Sequence, residues 1–262
     1  MPILVFQHSS IVGPGRLGVT FRDHGKILDV RRLDLPTAEL GGPPGNRHIP
    51  FDFDNVEGII TLGGPMNVTD APKLAWMQAE LEYLREAHKR NLPIVGVCLG
   101  HQLIAQALGG EVGPMETAVA AAPGREGFGE IGMVSVKQHA VANTDTILAG
   151  VAWQHRQLQA HKQEVKSLPA GAVCLQYSDR CKVQSFRVGL RTYAFQYHLE
   201  CDYPMAEALL RDEESHCRAF GLTPEEASRD LAKHYDEYAR LSDRICVNLA
   251  SFLFPISRRI VA

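Results

Sequence analysis

The 262-residue chain lacks most of the features that would assign it to a special class. No apolar run approaches the roughly 18 residues a membrane-spanning helix needs, so a membrane partner is not expected. No excess of one charge is present: 27 basic and 30 acidic side chains leave a formal charge of −3, which implies no strongly basic face and argues against nucleic acid as a partner. There is no C-x-x-C. The six cysteines, at 98, 174, 181, 201, 217 and 246, are scattered through a chain long enough to fold without disulfide staples, and they read as reduced thiols of a cytoplasmic protein. No basic leader precedes the first apolar stretch, which is too short for a secretory signal. A G-x-x-x-x-G-K-S/T phosphate loop is also missing, so nothing here activates an acceptor with ATP. With 45% hydrophobic and 22% charged residues, disorder and low complexity are excluded as well.

What is present has the texture of an α/β protein. Apolar, β-branched runs at Pro2 to Gln7, Ile27 to Leu33, Gly58 to Leu62 and Pro93 to Val97 predict short buried strands. Between the last two, Leu74, Met77, Leu81, Leu84 and Ala87 recur at helical spacing within Pro72 to Asn91. A second helix is expected from Leu99 to Leu108, stopping at Gly109-Gly110. Strands alternating with helices argue for a three-layer sandwich around a mostly parallel sheet. Further strands, expected at Gly132 to Gln138, Ala172 to Tyr177, Lys182 to Phe186 and Arg191 to His198, extend it with some antiparallel pairing. Helical patterns follow from Pro204 to Phe220 and from Pro224 to Phe252, the second opened by Thr223 as N-cap. The expected organisation is one domain over 1–202 with a helical C-terminal extension, 203–262, packed on it.

The most informative segment runs from Pro93 to Gln102. A buried strand enters Gly96-Val97-Cys98-Leu99-Gly100 and a helix follows at once, the arrangement of a nucleophile elbow with cysteine as nucleophile. Composition alone would supply about 0.05 such patterns per chain. A helix N-terminus beneath Cys98 favours the thiolate, the reactive form. Its proton-transfer partner is expected at Tyr193-Ala-Phe-Gln-Tyr-His198-Leu-Glu200, where strand alternation would put His198 and Glu200 on one face. Gly63-Gly64-Pro65-Met66, after the third strand, offers an unobstructed backbone N–H at Gly64, which with that of Leu99 would form an oxyanion hole.

Together these segments resemble the class I glutamine amidotransferase family. Its Gly-x-Cys-x-Gly-x-Gln corresponds to Gly96, Cys98, Gly100 and Gln102, its His-x-Glu to His198 and Glu200, and its Gly-Gly-Pro to Gly63, Gly64 and Pro65. The free-standing subgroup similar to the amidotransferase domain of GMP synthase is closer still, since it carries Gly-Gly-Pro-Met. The resemblance implies a flavodoxin-like fold and cysteine-dependent hydrolysis of a γ-glutamyl amide through a thioester on Cys98, with a Cys98–His198–Glu200 triad and no cofactor or metal. By the family's pattern Gln102 holds the amino-acid end of the substrate, and Ala160 and His161 grip it from a neighbouring segment. It also implies a separate synthase subunit that receives the ammonia, or else a plain hydrolase.

Two departures stand out. Leu199 replaces the family's proline between histidine and glutamate, and His161-Lys162-Gln163 stands where the family has His-Gly-Asp. The second bears on substrate identity and keeps a γ-glutamyl peptide hydrolase as an alternative. A non-catalytic module of this fold and a redox-responsive thiol protein are further alternatives, against which His198 and Glu200 argue. Gly13 to Gly18 formally matches G-x-G-x-x-G, but begins too far beyond the first strand for a dinucleotide turn. His155, His161, His198 and Cys201 lack the spacing of a common zinc site. Arg211 to His216 and Arg229 to Lys233 read as solvated helix faces.

Overall fold

In the computed structural model, the structure describes residues 1–35, 49, 50, 52–115 and 129–255. The first half alternates strand and helix: Pro2–Gln7 (β1), Gly15–Asp23 (α1), Ile27–Arg32 (β2), Gly58–Thr61 (β3), Ala75–Lys89 (α2), Ile94–Val97 (β4) and Leu99–Ala107 (α3). Strands Glu111–Pro114 (β5), Glu130–Gln138 (β6), Gln154–His161 (β7), Gln163–Ser167 (β8), Ala172–Ser178 (β9), Ser185–Val188 (β10) and Thr192–Phe195 (β11) follow. Helices Tyr203–Asp212 (α4), Glu214–Ala219 (α5) and Pro224–Asn248 (α6) come last.

The main sheet has the order β2-β1-β3-β4-β11-β10-β9-β6-β7, and β5 and β8 form a separate ribbon. The pairings from β2 to β11 are parallel, and those from β11 to β7 antiparallel. Alternation along the strands sorts side chains to two faces. Ile3, Val5, Val95 and Val97 pack with Leu17 and Phe21 of α1 and Ile245 of α6. Leu4, Phe6, Ile59 and Ile94 pack with Met77 and Leu84 of α2 and Leu103 of α3. The result is the expected three-layer α/β sandwich, with the sheet more evenly mixed than its first strands suggest. No described helix is long and apolar enough to cross a membrane.

Several elements differ from expectation for physical reasons. The helix predicted from Pro72 begins at Ala75, because 68–73 form a tight 3₁₀ turn. Strand β7 escaped the sequence pattern because its inward positions are His155, Gln157, Gln159 and His161, all buried yet polar. The segment from Pro204 to Phe220 is two helices broken at Glu213, and the last helix passes at Leu249–Leu253 into a π turn. Its start is as read, with Thr223 Oγ1 accepting from the Glu226 N–H at 3.2 Å. Because β1, β3, β4 and β11 run parallel in near-level register, their carboxyl ends open on one edge, where α/β sheets bind ligands.

Candidate active site

At that edge Cys98 follows β4 directly and caps α3. Its φ of 52° and ψ of −105° are a conformation that side chains rarely adopt. The turn is held from two sides, by Cys98 N–H donating to Phe195 O at 2.8 Å and by Gly100 N–H donating to Leu62 O at 3.1 Å. Cys98 is only 6% exposed, and its Sγ lies 3.9 Å from the carbonyl oxygen of Ala160.

His198 and Glu200 meet this cysteine, though not by the route the sequence suggested. Strand β11 ends at Phe195, so strand alternation does not align the pair. A compact turn does so instead, placing His198 Nδ1 2.8 Å from Glu200 Oε1 with both side chains buried. The turn is clamped from below: Tyr238 of α6 donates to the carbonyls of His198 and Cys201 at 2.5 and 2.9 Å, and Arg16 donates to those of Glu200 and Cys201 at 2.8 and 3.1 Å. Arg16 belongs to the glycine-rich stretch that formally resembles a dinucleotide loop; here it ties α1 to Asp243 and Tyr235 of α6. The ring of His198 and Cys98 share Gly63 as neighbour. A Cβ there would lie 2.8 Å from His198 Cε1 and 3.4 Å from Cys98 Cβ, so a glycine is what lets these two groups approach. Burial opposes a charged imidazole, but Glu200 and Cys98 outweigh it and raise His198 well above its ordinary value.

The cleft beside Cys98 encloses about 430 Å³ open to solvent and is walled by Gly64, Leu99, Gln102, Ala160 and His161 among others. Gly64, Cys98, Leu99, Gln102, Ala160 and His161 thus border one depression, with His198 and Glu200 paired beside it. Among the described residues, no acceptor meets the N–H of Gly63 or Gly64. Gln102 donates to Gln196 Oε1 at 3.0 Å and to Gln163 O at 3.3 Å. His161 spends both ring nitrogens on the protein, on Glu130 Oε2 at 3.0 Å and Gln163 O at 2.8 Å. It therefore shapes the wall rather than offering a free nitrogen. Glu130 also accepts from Ser178 and Gln184, each at 2.5 Å. With Cys181 it forms a close ligand-type cluster whose carboxylate is already occupied by these donors.

The rim contains residues that sequence reasoning missed. Glu213, at the break between α4 and α5, and His216 line the cleft with Lys162, so Arg211 to His216 is not simply a solvated face. Glu213 Oε2 lies 3.2 Å from Lys162 Nζ and 3.5 Å from His216 Nδ1. The His216 contact, with Lys162 adding to it, holds the Glu213 carboxyl below its usual range against the opposing effect of burial.

Beneath the cleft, burial takes His101 of α3 down to about 3, with His161 adding to the effect and Gln196 opposing it. Burial takes His155 of β7 down to about 4, against a hydrogen bond to the backbone of Ala152 and the charge of Glu237. A histidine kept neutral in the fold stabilises it above the unfolded value of 6.5 and loses that contribution as pH falls toward the folded value. The thermal midpoint of His101→Leu is therefore expected to fall less than that of the unaltered protein between pH 6.5 and 4, as followed by circular dichroism.

The fold and the strand–cysteine–helix elbow are of the class I glutamine amidotransferase type. The profile "Glutamine amidotransferase class-I" matches residues 25–213, more than half of the chain, and the protein belongs to that family. It is similar to a GMP synthase (glutamine-hydrolyzing) subunit of Thermococcus kodakarensis, 35% identical over 145 residues, covering 55% of this chain and 66% of that protein. The corresponding subunit of Methanobrevibacter smithii is 32% identical over 179 residues, covering 68% of this chain and 80% of its own. Among solved structures, a glutamine amidotransferase from Methylobacillus flagellatus superposes with a TM-score of 0.73 at 25% identity, covering 94% of this chain and 93% of the other. One from Thermotoga maritima superposes at 0.75 and 18% identity, covering 96% and 98%, a likeness of fold.

Proposed function

We propose that the protein hydrolyses glutamine to glutamate and ammonia. The observation that carries this reading is the buried His198–Glu200 pair facing a cysteine held at positive φ on a strand-to-helix turn. Cys98 passes its proton to His198, and its sulfur attacks the amide carbonyl carbon. The backbone N–H groups of Gly64 and Leu99 receive the oxyanion. The C–N bond then breaks as His198 gives its proton to the departing nitrogen, releasing ammonia and leaving a γ-glutamyl thioester. Water, deprotonated by His198, attacks that thioester; glutamate leaves and the thiol is restored. Glu200 holds the ring in the required tautomer and offsets its charge.

Gln102 and the rim receive the amino-acid end. An α-ammonium group matches Glu213 and an α-carboxylate matches Lys162, so a zwitterion would exchange one half-exposed ion pair for two. Ammonia passes to a separate synthase partner; the naming of the relatives as one subunit of a GMP synthase supports this role. The departure at Lys162 and Gln163 favours γ-glutamyl peptides as the second substrate class.

Ammonia release from L-glutamine, compared with cleavage of γ-glutamyl peptides, tests the reading; cleavage of the peptides alone would replace it with the second. Glu213→Gln is expected to raise KM for glutamine by about tenfold with kcat within about twofold, the signature of lost ground-state binding.

A further inference from the structure

A second buried histidine–glutamate pair lies under the oxyanion turn, outside the triad. His8 follows β1, Glu80 lies on α2, and both side chains are 0% exposed. His8 Nε2 is 2.9 Å from Glu80 Oε2, and His8 Nδ1 is 3.1 Å from the carbonyl oxygen of Leu62. Nδ1 faces a carbonyl and therefore carries a proton, and a second proton on Nε2 would make the ring and the carboxylate a buried ion pair. Thr61 Oγ1 donates to the other Glu80 oxygen at 2.6 Å, and Trp76 stacks on the imidazole with ring centres 5.2 Å apart. Although burial opposes the charged ring, Glu80 and the Leu62 carbonyl, with Asp34 adding, hold His8 above its ordinary value.

We propose that His8 and Glu80 are positioning residues for the oxyanion turn. The inference rests on the amidase reading above. Across a trans peptide, the carbonyl of Leu62 and the N–H of Gly63 point in opposite directions. His8 and the Gly100 N–H both hold that carbonyl, which fixes the plane of the Leu62–Gly63 peptide and so the start of the turn that presents the N–H of Gly64. That residue is braced by the same histidine, since His8 Cβ occupies the space 2.6 Å from where a Gly64 side chain would begin. A fully buried ion pair is a poor source of stability, because desolvation offsets the attraction. It is a good source of fixed orientation, and orientation is what an oxyanion hole requires.

The test is steady-state kinetics with glutamine on Glu80→Gln, which keeps the shape of the side chain but removes its charge, and on the milder Thr61→Val. Both are expected to lose kcat, about tenfold for Glu80→Gln and less for Thr61→Val. KM and the rate at which iodoacetamide alkylates Cys98 should stay within about twofold. Unchanged kcat in the folded variants would overturn the inference and leave the amidase reading intact. So would parallel changes in kcat, KM and alkylation, which would mark general damage. An unaltered protein that hydrolyses no γ-glutamyl amide would overturn both.

Discussion

Cys98→Ala is expected to reduce ammonia release from glutamine by about 10⁴-fold or more, to background, while the thermal midpoint stays near that of the unaltered protein. The loss is this large because every bond change in the proposed reaction passes through the sulfur. The fold tolerates the change because alanine keeps the backbone and the two hydrogen bonds that hold the elbow, neither of which uses the thiol. Glu200→Gln should lose less, since the ring of His198 keeps a partner but not a counter-charge. A glutamine-like electrophile should label Cys98 stoichiometrically, and excess glutamine should block it. Hydrolysis that survives in Cys98→Ala would remove the triad from the protein.

The second large effect concerns the scaffold. A Cβ on Gly100 would lie 2.1 Å from the carbonyl oxygen of Thr61 and 2.6 Å from its carbonyl carbon. Both are backbone atoms of β3 in the middle of the sheet, with no side chain to swing aside. Gly100→Ala should therefore cost about 3 kcal/mol or more, or leave no folded protein. At roughly 2–4 °C per kcal/mol, the midpoint would drop by about 10 °C. Gly109→Ala is the control. Its φ of 92° strains any side chain but nothing lies within 4 Å, so it should cost only about 1 kcal/mol. Equal midpoints for the two would mean that α3 does not press on β3 as described, and the elbow's geometry would go with it.

The two halves of the site were unequally legible. The elbow could be read directly, because strand, cysteine and helix are contiguous and the glycines around them answer to local crowding. The pairing of His198 with Glu200 was read correctly as an association and incorrectly as a strand alternation: beyond Phe195 the chain leaves the sheet, and Tyr238 and Arg16 shape the turn that joins them. Strand β7, which carries Ala160 and His161, was invisible because its buried positions are polar and bond to other segments, Gln157 to Ser242, Gln159 to Gln184 and His161 to Glu130, so no apolar period marks it.

What the sequence by itself determined is what neighbours along the chain can decide: a cysteine between strand and helix, a glycine pair ending β3, the last helix with its Thr223 cap, and through the motifs the family. Tertiary structure alone decided which distant groups surround that cysteine. Glu213 reaches the rim because the chain breaks between α4 and α5 and packs over β7. His8 and Glu80, 72 residues apart, meet beneath the turn because α2 packs on the face of the sheet where β1 ends. The physical reason is range. Turn sterics and helix capping act over a few residues, whereas a buried charge finds its partner only after the sheet has assembled around it.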